Sequence, residues 1–191
     1  CCHGYPVIRI SAASIADVTA AKMKKRIFMA VYNPIEVDGR VKRIADSLAL
    51  EFELTLLCPC GAGTATTAAY TIARVFKPFE SGRVSRLLAF WWHFIIKAVL
   101  FKPAIVYAHD FFLPFPGWIA ARLTGARLVY DAHELIVPES AARMSSKERI
   151  FYALERFVLP RSDLVIAANP ERAGIMKEHY RLKRLPTAIR N

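Results

Sequence analysis

From residue 25 onward, short apolar runs rich in β-formers alternate with longer amphipathic stretches, and this alternation constrains the fold more than any other feature. The runs are RIFMAVY (26–32), FELTLLCP (52–59), TIARVF (71–76), AIVYAHD (104–110), ARLVYDA (126–132), DLVIAAN (163–169) and LPTAIRN (185–191). Between them GRVKRIADSLALE (39–51) sets Val41, Ile44, Ala45, Leu48 and Ala49 on one helical face. RVSRLLAFWWHFIIKAVLFK (83–102) is ended by Pro103, and PGWIAARLTG (116–125) is a helix that Pro opens and Gly closes. SSKERIFYALERFVLP (145–160) begins with a Ser145–Glu148 capping box, and PERAGIMKEHY (170–180) supplies the last helix. GAGTATTAAY (61–70) has turn and small-residue composition and reads as a loop. Strands alternating with helices predict an α/β fold: a doubly wound parallel sheet in a single Rossmann-like domain, with every strand running the same way.

In such a sheet the carboxyl ends of the strands share one edge, and ligands bind in the crevice there. Two runs end in histidine plus acid: His109 and Asp110 after one, Asp131, His133 and Glu134 at the other. The bland alternative is a capping aspartate beside a histidine satisfied by a backbone carbonyl. Two such ends side by side favour a site, because carboxylates are costly to bury unpaired. The bare residues fit two chemistries. One is a divalent-metal site serving a hydrolase; the other is a sugar site, with carboxylates and imidazoles bonding hydroxyls and one acting as base. No metal-ligand spacing such as H-E-x-x-H is present, so the metal reading rests on geometry alone. The loop NPIEVDGRVKR (33–43) precedes a helix N-terminus, a position that favours anions. It holds one glycine, Gly39, so the G-x-G-x-x-G dinucleotide fingerprint is absent.

Composition narrows the partners. The 191 residues suit one domain with a sizeable core, and a 54% hydrophobic content excludes a disordered chain. Lys and Arg outnumber Asp and Glu by 27 to 16, which points to a polyanionic partner. The basic residues are scattered and no nucleic-acid motif surrounds them, so phosphorylated ligands or an anionic membrane face are expected rather than nucleic acid. Cys1, Cys2, Cys58 and Cys60 make a poor disulfide framework and suggest a reducing cytosol. The segment 1–22 has no long apolar core and reads as a non-native or disordered extension, with Met23 as the natural start and the domain running 23–191. In the helix 83–102, only His93 and Lys97 are polar between Leu87 and Phe101. Burial under a neighbouring domain or helix is the expected reading. Interfacial docking with Trp91 and Trp92 at head-group depth is the alternative.

The phrases MKKRIFMAVYNPIEVDGRVKRIADSLA, PAIVYAHDFFLPFPGWIAARLTGARLVYDAHEL, LERFVLPRSDLVIAANPE and PTAIRN resemble, in this order, the N-terminal half of GT-B glycosyltransferases of family 4. The likeness covers roughly 26–191 and is densest from 103 to 169. It implies a retaining, metal-independent hexosyl transfer from a nucleotide-sugar co-substrate, without a further cofactor, to a glycan or lipid-linked acceptor in cell-envelope glycan synthesis. His109 and Asp110 would be catalytic, near the transferred sugar. Asp131, His133 and Glu134 would line the acceptor side, and Gly39 and Arg40 would approach the donor phosphates. The family's E-x7-E carboxylate pair is absent, so a C-terminal donor-binding domain is expected as partner and the chain alone is expected to be inactive. A cytoplasmic location is expected, with peripheral membrane contact through 83–102 as the alternative to its burial. Two other classes compete: a non-catalytic Rossmann-type module for a phosphorylated ligand, and a metal-dependent hydrolase.

Overall fold

Alternate residues of the first strand already show how the chain layers. In the computed structural model, which describes residues 24–59, 63–67, 69–75, 82–133 and 145–189, Ile27 and Met29 of strand β1 (Arg26–Ala30) join one core cluster, Phe28 and Ala30 another. This two-residue period puts each strand between two buried faces. The remaining strands are β2 (Glu53–Pro59), β3 (Gly63–Thr66), β4 (Thr71–Val75), β5 (Ile105–His109), β6 (Arg127–Ala132), β7 (Leu164–Ala167) and β8 (Thr187–Ala188). They form one sheet in the order β3-β4-β2-β1-β5-β6-β7-β8.

All neighbours pair in parallel except β3 and β4. The expectation of a loop over 61–70 and of strands all running one way is corrected here: Gly63–Thr66 returns antiparallel along the sheet edge, with Thr66 opposite Thr71. A tight hairpin drives this pairing. Thr67 Oγ1 accepts the amides of Ala69 and Tyr70 and donates to the Tyr70 carbonyl. Thr64, Ala65 and Thr66 are exposed, so no apolar alternation marks the strand. The last strand is also shorter than the 185–191 expected, Thr187–Ala188.

The helices are α1 (Gly39–Ala49), α2 (Arg83–Phe101), α3 (Pro114–Thr124), α4 (Ser146–Val158) and α5 (Pro170–His179). Among the described residues α1 alone covers one face of the sheet, through Val41, Ala45 and Ala49. The other face carries α2 and α3 over the central strands, then α4 and α5 over β6 and β7. Local chemistry fixes the ends. Asp38 caps α1 by accepting the Val41 amide, and Asn169 caps α5 by accepting that of Arg172. The Ser145–Glu148 capping box of α4 is present in both directions. α3 begins two residues before the expected Pro116, at Pro114, and passes so close to β5 that a Cβ at Gly117 would lie 3.0 Å from the Ala108 Cβ.

Candidate active site

Tyr107, Val129 and Ile166 share the α1 side of the sheet, so the same alternation carries His109 and Asp131 to that side at the carboxyl ends of β5 and β6. The two are in register, His109 opposite Asp131. Residues 109–110 and 131–133 therefore meet at one edge of the sheet. The chain turns sharply after β5, with Asp110 in the left-handed region (φ 61°) and its amide donating to the Asp131 carbonyl at 3.1 Å.

Asp131 is the hub. Its carboxylate is fully buried and accepts from the Arg40 guanidinium at 2.6 Å and from the Tyr107 hydroxyl at 3.3 Å. His109 Nδ1 lies 3.3 Å from the same oxygen that Tyr107 uses, and His133 Nε2 lies 3.7 Å from it. His109 Nδ1 and His133 Nε2 are 3.2 Å apart, and the two rings meet nearly edge to face. On its other side His133 Nδ1 reaches Asp110 at 3.0 Å. The His133 carbonyl accepts from Arg172 of α5 at 2.7 Å, which pins the turn leaving β6.

These contacts set the charges. Burial pushes the Asp131 carboxyl up, but hydrogen bonds from His109 and His133 and the charges of His109 and Arg40 outweigh it and hold it well below the usual carboxylate range. Burial would likewise lower His133, yet its bond to Asp131 and the charges of Asp110 and Asp131 carry it above an ordinary imidazole. Asp110 moves the other way, raised by burial and only partly relieved by the two histidines. Tyr107 is driven up by burial and by the adjacent carboxylate, so it stays a protonated donor.

The site thus has a closed layer and an open one. His109, Asp131 and Arg40 are buried, whereas His133 and Asp110 retain some exposure toward the cleft. His109 Nε2 is buried and has no hydrogen-bond partner among the described residues. In the neutral tautomer that keeps its proton on Nδ1, facing Asp131, Nε2 would offer a lone pair to a hydroxyl donor. Arg40 lies beneath this cluster with its guanidinium on Asp131, and Gly39 is the first residue of α1. Glu134 lies outside the described residues.

Among the described residues two triads could in geometry hold a cation, His109–Asp131–His133 and Asp38–Asp110–His133. Their chemistry fits poorly. In the first, His109 Nδ1 and His133 Nε2 are 3.2 Å apart as a hydrogen-bonded pair, and Arg40 already supplies a positive charge at 2.6 Å from the carboxylate. In the second, Asp38 is committed to capping α1. A hollow of about 650 Å³ lies at the opposite, amino edge beside Arg127 and Arg161. It contains no histidine and its carboxylate, Asp163, is bonded to the Leu128 amide, so the titratable chemistry stays with the cluster.

Sequence reasoning missed a second buried acid. Glu155 of α4 accepts from the hydroxyls of Tyr130 at 2.5 Å and Tyr180 at 2.6 Å on the far side of β6. Burial raises its carboxyl despite both bonds. In the sequence Glu155 sits among Ala153, Leu154 and Phe157 in a helix otherwise solvated on that stretch, and only the facing tyrosines reveal it.

A Rossmann-like α/β domain with ligand-facing residues at the carboxyl edge of its strands is the architecture of the N-terminal half of a GT-B enzyme. The chain belongs to the glycosyl transferase 4-like domain family, whose pattern it matches over residues 39–187. A search of curated proteins gave no sequence match. Among solved structures it is similar to sucrose-phosphate synthase from Thermosynechococcus elongatus, with a TM-score of 0.65 at 11% identity over 86% of this chain and 47% of that one. It is also similar to Anabaena HepE in complex with UDP and glucose (TM-score 0.57, 18% identity, 87% of this chain, 44% of that one). A glycosyltransferase from Rickettsia africae gives 0.56 at 14% identity, over 88% of this chain and 43% of that one. At such identities the likeness establishes the fold. The chain spans about half the length of these three proteins.

Proposed function

We propose that this chain is the acceptor-side half of a retaining glycosyltransferase that moves a hexosyl group from a nucleotide-sugar to a glycan or lipid-linked acceptor. The observation that carries the reading is His109: a buried imidazole at the tip of β5, oriented through Nδ1 by Asp131, with Nε2 unpartnered among the described residues. That HepE, a similar fold, is found with UDP and glucose supports a nucleotide-sugar as donor. In the transfer the bond from the anomeric carbon to the diphosphate oxygen breaks and a bond to the acceptor hydroxyl oxygen forms. The hydroxyl proton leaves with the nucleoside diphosphate.

Residue roles follow from the layering. His109 Nε2 accepts a hydroxyl of the transferred sugar, and Asp110 and His133 face the acceptor. The donor phosphates approach the amide end of α1 at Gly39 and Arg40; the Arg40 guanidinium, engaged with Asp131, contributes through position rather than direct charge. Asp131 orients both histidines from below. A second domain binds the nucleotide, and the chain by itself does not turn over.

The test is transfer by this chain joined to a donor-binding domain, read by NMR of the anomeric proton in the product. Retained configuration, abolished by His109→Ala, is expected. Inverted product, transfer unaffected by His109→Ala, or turnover by the 191 residues alone would each contradict the proposal.

A further inference from the structure

Helix α2 leaves one whole face uncovered. Leu87, Phe90, Phe94 and Ala98 are buried against the sheet. On the opposite side Val84, Leu88, Trp92, Ile96 and Leu100 are 54%, 54%, 64%, 38% and 74% exposed. Their four-residue spacing makes one continuous stripe along the nineteen-residue helix. The two tryptophans divide the roles. Trp91 is held inward, its Nε1 donating to the Phe112 carbonyl at 2.9 Å and its ring against Phe115 and Phe151, while Trp92 points out. Only one of the two is therefore placed for head-group contact.

Charge identifies what meets this stripe. At 100° per residue, Arg86, His93 and Lys97 fall along one flank, between the buried and the exposed faces, and residues 83–102 contain no acidic side chain. An apolar face edged by cations and free of carboxylates complements an anionic lipid surface. A bilayer crossing does not fit, because the opposite face of α2 is built into the core. A two-fold dimer through the stripe with the helices antiparallel would lay the basic flank against its own copy.

We infer that α2 docks on an anionic membrane surface, lying in the interface with Leu88, Trp92, Ile96 and Leu100 inserted and Arg86, His93 and Lys97 at the phosphates. This does not depend on the sugar-transfer reading, since vesicle binding is measured without turnover.

The experiment is flotation of the chain with vesicles of phosphatidylcholine, with and without phosphatidylglycerol, alongside tryptophan emission. Retention only on the anionic vesicles is expected, with a blue shift that Trp92→Phe removes. Leu88→Glu/Trp92→Glu abolishes retention. Arg86→Gln/Lys97→Gln weakens it about 25-fold, on the scale of a fivefold loss per basic residue. All variants keep the unaltered chain's thermal melt, because Arg86, Leu88 and Trp92 are exposed and Lys97 is only half-buried. No retention on anionic vesicles, equal retention of the glutamate variant, or a concentration-dependent dimer that this variant disrupts without any vesicle binding would each overturn the inference.

Discussion

Replacing Arg40 by methionine removes the cation from a buried carboxylate and keeps most of the side-chain volume. The Arg40 nitrogen is 2.6 Å from Asp131, whose side chain has no solvent exposure. At an effective dielectric of about 20, Coulomb's law gives about 6 kcal/mol as the upper limit of the attraction. Breaking one partner of a buried pair costs about 3–5 kcal/mol in practice, because the other charge is stranded. Here the histidines and Tyr107 soften the loss, so about 3 kcal/mol is expected. With a urea slope of about 2 kcal/mol per molar, the denaturation midpoint falls by about 1.5 M. Asp131→Asn should cost a similar amount, and the double variant clearly less than the sum. Imidazole titration by NMR adds a readout that packing alone does not move. Arg40 lowers the His133 pKa and Asp131 raises it, so His133 should titrate higher in Arg40→Met and lower in Asp131→Asn. A midpoint shift of less than about 0.5 M in both single variants, with additive costs and an unmoved His133, would refute the reasoning.

Stability should also depend on pH from both sides of neutrality. The depressed Asp131 carboxyl contributes stability present above its unfolded pKa of about 3.9 and lost as pH falls through the folded value. Raised His133 contributes below about 6.5 and loses it as pH rises through its folded value; raised Asp110 likewise favours the fold only at low pH. Thermal melts across pH should decline at both ends, and Asp131→Asn should flatten the acid limb; an unchanged acid limb would count against the hub. Tyr180→Phe strips one donor from buried Glu155 and should cost about 1–2 kcal/mol in chemical denaturation, a wild-type midpoint being the contrary result. Gly117→Ala forces a Cβ to 3.0 Å from the Ala108 Cβ and should cost about 1–3 kcal/mol by the same assay, with a neutral outcome showing that α3 can shift away.

Much of the architecture was legible because it rests on local rules. The β1, β5 and β6 runs are apolar on both faces, the Ser145–Glu148 box marks the start of α4, and Pro103 marks the end of α2. β3 was not legible: its stability comes from an edge partner and the Thr67 hairpin, neither of which leaves an apolar pattern. At the site, parallel topology sufficed to bring residues 109–110 and 131–133 to one edge. It did not reveal that Asp131 is an internal anchor, because that depends on Arg40 entering from α1, 91 positions away. Glu155 was invisible for the same reason: its partners come from β6 and the end of α5.

Tyr130 and Asp131 are consecutive, yet one is bonded to α4 on one side of the sheet and the other to α1 on the opposite side. Sliding β6 by a single position would swap them, thrusting a carboxylate among aromatic rings and a phenol toward the guanidinium. The strand is therefore bolted from above and below at its last residues. That double anchoring fixes the register in which His109 stands opposite Asp131, while His133 and Asp110 keep some exposure toward the cleft.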